Sequence, residues 1–324
     1  MIYNYCTLFD SFFLSRGLAL YYSLKETTPD FRLYAFPFDK EAASVLQAMK
    51  LDNLLVVTQD EFENDELLKI KTERTRGEYC WTCTPVIIDF CIQNFKLSQC
   101  TYLDADLFFF SSANKLVDEM GNSSVLITDH RYTPKYDQSE TSGKYCVQFV
   151  TFKNDEKGLI VLNWWKQACI EWCFDRYEDG KFGDQKYLDD WPKRFAGLCD
   201  LPNEGAGLAP WNIQQYEIVS SDEPLRIRNK TTSQDWLVVF YHFHWLRFLS
   251  EKRVDMGTYA LSSKVKEVFY HRYIKKLDAI HAKLVHYGVE PPVQKYSTKS
   301  GLPIPLHKVV RRILGVYNIY ELKE

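Results

Sequence analysis

Apolar runs separated by short polar punctuation organise the first two thirds of the chain. Residues 3–9 form a largely apolar run that predicts a buried strand, Asp10 and Ser11 break it, and Leu14, Leu18, Tyr21, Tyr22 and Leu24 continue at helical spacing. Residues 32–38 predict a second strand, Asp39 the cap of a helix over 40–49, and 54–58 a third strand. A stretch rich in Glu, Lys and Arg runs to Glu78, and residues 79–93 then predict a mainly apolar helix. That helix leads into Cys100-Thr-Tyr-Leu-Asp-Ala-Asp-Leu-Phe-Phe-Phe110, a buried strand whose end carries two acids. Further strands are expected over 124–128, 144–152 and 238–243. A long helix is expected over 156–178 after Asn154-Asp155, and Gly180 to Leu188 opens another, with Asp184 and Gln185 in or near its first turn. Residues 205–207 and 210–212 read as loops, and 262–285 as a helix of mixed charge.

Strands alternating with helices predict an α/β fold with a mostly parallel central sheet flanked by helices. Functional groups on such sheets collect at the carboxyl ends of strands, where Asp10, Asp39 and Asp104 fall. The boundaries expected are a main domain over 1–260, a helical extension over 261–287, a Pro-, Gly- and Ser-rich linker over 288–305 and a basic, apolar tail over 306–324. The tail is suited either to lie on an anionic membrane surface, as a peripheral contact, or to pack back on the domain.

Composition narrows the classes. Apolar residues make up 46% of the 324, enough for a substantial core, and a net charge of −3 gives no global field for nucleic acid. The aromatic share of 15% suits stacking on sugars or bases as well as core filling. Nine cysteines, an odd number scattered through apolar segments, suit free thiols in a reducing, cytoplasmic setting. Cys80-Trp-Thr-Cys83 has neither a second CxxC nor a spaced His pair, which argues against a zinc site. Asp10 and Arg16 interrupt any signal-peptide core, and there is no run of 18 apolar residues.

Four constellations carry chemistry. On an extended backbone Asp104 and Asp106 point the same way, so both can meet one ligand. Two buried carboxylates repel, and a hard divalent cation between them resolves the conflict, whereas the plain alternative is a helix cap or a turn. His242 and His244, within Tyr241-His-Phe-His-Trp245, are candidate metal ligands that would favour Mn²⁺ over Mg²⁺, or else histidines hydrogen-bonded among core aromatics. Asp184 and Gln185 can hold sugar hydroxyls or cap a helix. Arg74 and Arg76 can meet a phosphate or line a solvated turn, and Arg76 is the better placed.

Tyr102-Leu-Asp-Ala-Asp106 is similar to the metal-binding DxD of the GT-A fold glycosyltransferases, the nucleotide-diphospho-sugar transferases. Tyr5-Cys-Thr-Leu-Phe-Asp-Ser11 resembles their nucleotide-binding first strand, and Gly183-Asp-Gln185 and Tyr241-His-Phe-His244 resemble motifs of glycosyltransferase family 8. The resemblance spans roughly residues 1–250. It implies a GT-A fold and sugar transfer from a nucleotide-sugar, a UDP-sugar foremost, to a glycan, glycolipid or protein acceptor, with retention at the anomeric carbon. It further implies Asp104, Asp106 and His242 or His244 as ligands of Mn²⁺ or Mg²⁺, Thr7 and Asp10 near the base or ribose, Arg76 at the donor, and Asp184 and Gln185 at the donor sugar. Surface glycan or glycolipid synthesis would be the role. The chain departs from family 8 after His242, where Gly, Lys and Pro are missing, and at Cys146-Val-Gln148, which stands in place of Asn-x-Gly. Two other readings compete: a haloacid-dehalogenase-like phosphatase using Asp104 and Asp106, and a non-catalytic sugar-binding protein on the same fold.

Overall fold

A computed structural model describes residues 2–294, 296 and 303–322. Its centre is a seven-stranded sheet. The first strands are β1 (Tyr3–Phe9), β2 (Phe31–Pro37), β3 (Leu54–Val56) and β4 (Gln99–Leu103), with β5 (Leu107–Phe109) following just beyond. Then come β6 (Val125–Asp129), β7 (Tyr145–Lys153) and β8 (Leu198–Asp200). The sheet order is β3-β2-β1-β4-β7-β6-β8. All pairings are parallel except those of β7, which runs against both β4 and β6.

Alternation along β1 explains the layers. Cys6 and Leu8 face one side, with Ile87, Ile88 and Cys91 of the helix Arg76–Asn94 and Val161 and Trp165 of the helix Glu156–Glu171. Tyr5 faces the other side, with Leu20, Tyr21 and Leu24 of the helix Leu14–Thr27. Strands covered on both faces need apolar runs rather than alternation, and β1 is buried from Tyr5 through Phe9. Gly17 is required by this packing: a Cβ there would lie 2.3 Å from the Phe9 ring.

Local caps fix the entries. Asp10 accepts from the Phe13 amide (2.9 Å), and Asp39 accepts from Ala42 (2.8 Å), the expected cap of the helix Lys40–Met49. Thr75 and Glu78 form a capping box, which starts the next long helix at Arg76, three residues before its apolar pattern begins. The helix expected over 156–178 ends at Glu171, because the chain turns at Trp172 and closes a loop through Gly183 N–H to Phe174 O (3.0 Å).

Beyond the main sheet, β9 (Tyr216–Ser220), β10 (Arg226–Asn229) and β11 (Asp235–Leu237) form a small antiparallel sheet. β12 (Phe240–His242) pairs antiparallel with β5, in the register His242↔Leu107. Residues 263–285 are helical throughout and bury Tyr273, Ile274 and Leu277 against Leu14 and Leu18. β13 (Arg247–Ser250), β14 (Arg253–Asp255) and β15 (Ile319–Glu321) make a last sheet, so the C-terminal segment is tied to the domain by backbone pairing. The helix Ile304–Ile313 precedes β15. Its Arg311 is buried and donates to both oxygens of the fully buried Asp255, at 2.9 and 2.7 Å. The linker expected over 288–305 falls partly outside the described residues, as do residues 323–324 of the tail.

Candidate active site

The main sheet stops at Leu103, and Asp104 to Asp106 form a turn, with the Leu107 amide donating to Asp104 O (3.3 Å). The two acids therefore converge through a turn between β4 and β5, not through the alternation of a continuous strand. The β5–β12 pairing brings His242 against that turn, and the Phe243 amide donates to Asp106 O (3.0 Å). His242 Nε2 lies 3.1 Å from Asp106 Oδ1 and 3.9 Å from Asp104 Oδ2. The other ring nitrogen, Nδ1, meets Gln148 Oε1 at 2.9 Å, which holds the ring with Nε2 aimed at the acids. Trp211 packs edge-on against both His242 and His244, and its indole N–H donates to His130 O (2.9 Å).

These groups line a cavity of about 680 Å³, together with Asp184, Gln185 and His244 and an aromatic wall of Trp81, Tyr132, Phe182, Trp245 and Tyr259. Burial pushes the Asp104 carboxyl up, and the neighbouring Asp106 charge adds to it. Burial works in the same sense on Asp106, but His242 outweighs it and holds that carboxyl below the usual range. Burial opposes the charge on His242, yet Asp106 first, then a hydrogen bond with Cys146 and the Asp104 charge, raise it well above the ordinary imidazole value. The Asp184 carboxyl is likewise raised, by burial first and the Asp104 charge second. Gln185 lies one residue before the short helical turn Lys186–Asp190, and its amide donates to Ser142 O (2.7 Å).

The structure thus gathers Asp104, Asp106, His242, His244, Asp184 and Gln185 on one cavity. Asp10 and Arg76 form a separate cluster at the ends of β1 and β2. There Arg76 bridges Asp10 (2.8 Å) and Asp39 (2.7 Å), so its guanidinium is already matched by two carboxylates. Thr7 corrects the expectation of a base or ribose contact. It is fully buried inside β1 with its hydroxyl unpartnered, two residues short of the strand end. Gln148, Cys146, His130 and Trp211 were not expected at the site. The Cys146-Val-Gln148 departure is the signal in the sequence for the first two, and His130 and Trp211 carry none.

No family model matches the chain. It is 31% identical over 254 residues to the uncharacterized protein YfnF of Bacillus subtilis (strain 168), covering 76% of this chain and 82% of that protein. The chain belongs to the YfnF family. The uncharacterized protein YfnD of the same organism is 29% identical over 261 residues, 79% of this chain and 82% of its own length. Among solved structures, this YfnF-family chain is similar to the galactosyltransferase LgtC in complex with donor and acceptor sugar analogs. The TM-score is 0.53 at 12% identity, over 85% of this chain and 95% of that one. It is also similar to the glycosyltransferase GlyE of Streptococcus pneumoniae TIGR4, with a TM-score of 0.50 at 12% identity, over 92% of this chain and 66% of that one. The fold is GT-A, a mixed α/β sheet flanked by helices. A haloacid-dehalogenase arrangement, with its attacking acid after the first strand, does not match acids carried on the turn after β4.

Proposed function

We propose that this protein is a metal-dependent glycosyltransferase that moves a sugar from a nucleotide-diphospho-sugar, a UDP-sugar foremost, to an acceptor hydroxyl with retention at the anomeric carbon. The observation that carries the reading is the convergence of Asp104, Asp106 and His242 on the floor of an aromatic-walled cavity in a GT-A fold. Two carboxylates and an imidazole with its second nitrogen fixed by Gln148 are a donor set suited to Mn²⁺. A bound divalent ion would supply positive charge for the leaving diphosphate. The chain's own residues do the rest. The aromatic wall offers faces to a sugar ring. Asp184, with its carboxyl pushed up, can donate to as well as accept from a sugar hydroxyl, and Gln185 is held in place by Ser142 O.

A glycan or glycolipid acceptor at a cytoplasmic membrane face fits the outer side of the helix Ile304–Ile313. While Arg311 is buried, Leu306, Val309 and Ile313 are exposed, with Lys308 and Arg312 on the same helix. No described helix is long and apolar enough to cross a membrane, so contact would be peripheral.

The test is thermal unfolding with UDP, GDP, CDP and dTDP, each with and without Mn²⁺. A nucleotide at 100 times its Kd stabilises by about 2.7 kcal/mol. Stabilisation by one nucleotide only when Mn²⁺ is present, lost in D104A/D106A, is expected. No response to any nucleotide rejects the donor reading, and binding without sugar transfer or donor hydrolysis favours a non-catalytic sugar-binding protein.

A further inference from the structure

The cavity holds another metal-ligating group besides the two acids and His242. Cys146 lies on β7, 4% exposed, and faces the cavity. Its sulfur, a carboxylate oxygen of Asp104 and a ring nitrogen of His242 all lie within 4.8 Å of one another. A metal–sulfur bond is about 2.3 Å and a metal–oxygen or metal–nitrogen bond about 2.0–2.2 Å, so one ion spans ligand atoms up to roughly 4.5 Å apart. The three atoms lie close enough to be drawn onto one ion by side-chain adjustment.

The strand that carries Cys146 is fixed independently of any ion. Thr128 Oγ1 donates to the Cys146 carbonyl at 3.1 Å, and Cys146 is paired with Thr128 of β6. Residues two apart on a strand share a face, so Cys146 and Gln148 point to the same side of β7. One residue offers a sulfur beside His242, and the other holds the ring of His242. We propose that Cys146 is a direct ligand of the divalent ion, which makes the centre a mixed oxygen, nitrogen and sulfur site. The proposal rests on the metal-dependent reading above and extends it to the class of ion. Thiolate ligands favour softer cations, so the site takes Co²⁺, Zn²⁺ or Cd²⁺ in preference to Mg²⁺.

The experiment is absorption spectroscopy of the full chain titrated with Co²⁺, with and without UDP. The expected result is a thiolate-to-cobalt charge-transfer band in the near ultraviolet, alongside visible ligand-field bands. C146S removes the first and keeps the second, D104N/D106N removes both, and C146S weakens Cd²⁺ binding by about tenfold or more. Unfolding curves of C146S and C146A establish that the variants fold. Ligand-field bands that depend on Asp104 and Asp106, without a charge-transfer band, overturn the role of Cys146 and leave the metal reading standing. A charge-transfer band that survives C146S overturns it too, and points to the buried trio Cys6, Cys91 and Cys100, whose sulfurs also lie within 4.8 Å of one another. If no band depends on Asp104 and Asp106, both the proposal and the metal reading fail.

Discussion

Replacing Arg311 with Ala strands a carboxylate in the interior. Asp255 is fully buried and loses charged donors on both oxygens, at 2.9 and 2.7 Å. It keeps the Gly257 amide at 3.1 Å and a long contact to Arg247 at 3.5 Å. The carbonyls of Gly257 (2.7 Å) and Val316 (3.2 Å) also lose their Arg311 donor. Removing one partner of a buried pair costs about 3–5 kcal/mol. Unfolding entropy of about 2.1 cal/mol/K per residue translates, for this length, to about 1.5 °C per kcal/mol, so Tm should fall by about 4–7 °C. Thermal unfolding measures this, and limited proteolysis reports whether the C-terminal segment loosens first. The double variant R311L/D255L strands no charge and should recover most of the loss. If R311A leaves both Tm and the cleavage rate unchanged, or if the double variant is as unstable as the two single ones combined, the pair does not anchor the segment and the reasoning is wrong.

Gln148→Ala frees the ring of His242 without touching the acids, and Mn²⁺ affinity measured by calorimetry should drop about 10–100-fold. His281 is 5% exposed, and burial, helped by Arg16, depresses its pKa from 6.5 to about 4. Its folded pKa lies below the unfolded one, so stability is full above pH 6.5 and declines as pH falls toward 4, by about 3 kcal/mol in all; urea unfolding of H281L across that window should lose this pH slope. Replacing Leu306, Val309 and Ile313 together with Glu should abolish co-sedimentation with phosphatidylserine vesicles and leave Tm within about 2 °C, because all three side chains are exposed; unchanged sedimentation rejects the membrane contact.

Much of the architecture was legible because its signals are local. The apolar run of β1, the capping Asp39 and the pairing of acids at 104 and 106 each act within a few residues. The capping box Thr75-x-x-Glu78 is equally local and would have corrected the helix start. What was not legible depends on pairing between distant segments. The turn at Asp104–Asp106 exists because β5 leaves the main sheet to join β12, and nothing in residues 100–110 specifies that partner. Gln148 looked like a departure from a motif until β7 placed it behind His242. The tail left two alternatives open, and the helix Ile304–Ile313 is compatible with both: it buries Arg311 inward and presents apolar residues outward.

The β5–β12 pairing also orders events in time. During synthesis the two acids emerge long before the strand that carries His242, and N-terminal segments begin to fold first. Until β12 arrives, β5 has an open edge and Asp104 and Asp106 lack the imidazole that offsets their mutual repulsion. A nascent chain therefore carries half a centre that resists burial, and docking of the late strand relieves the repulsion and seals the edge in one event.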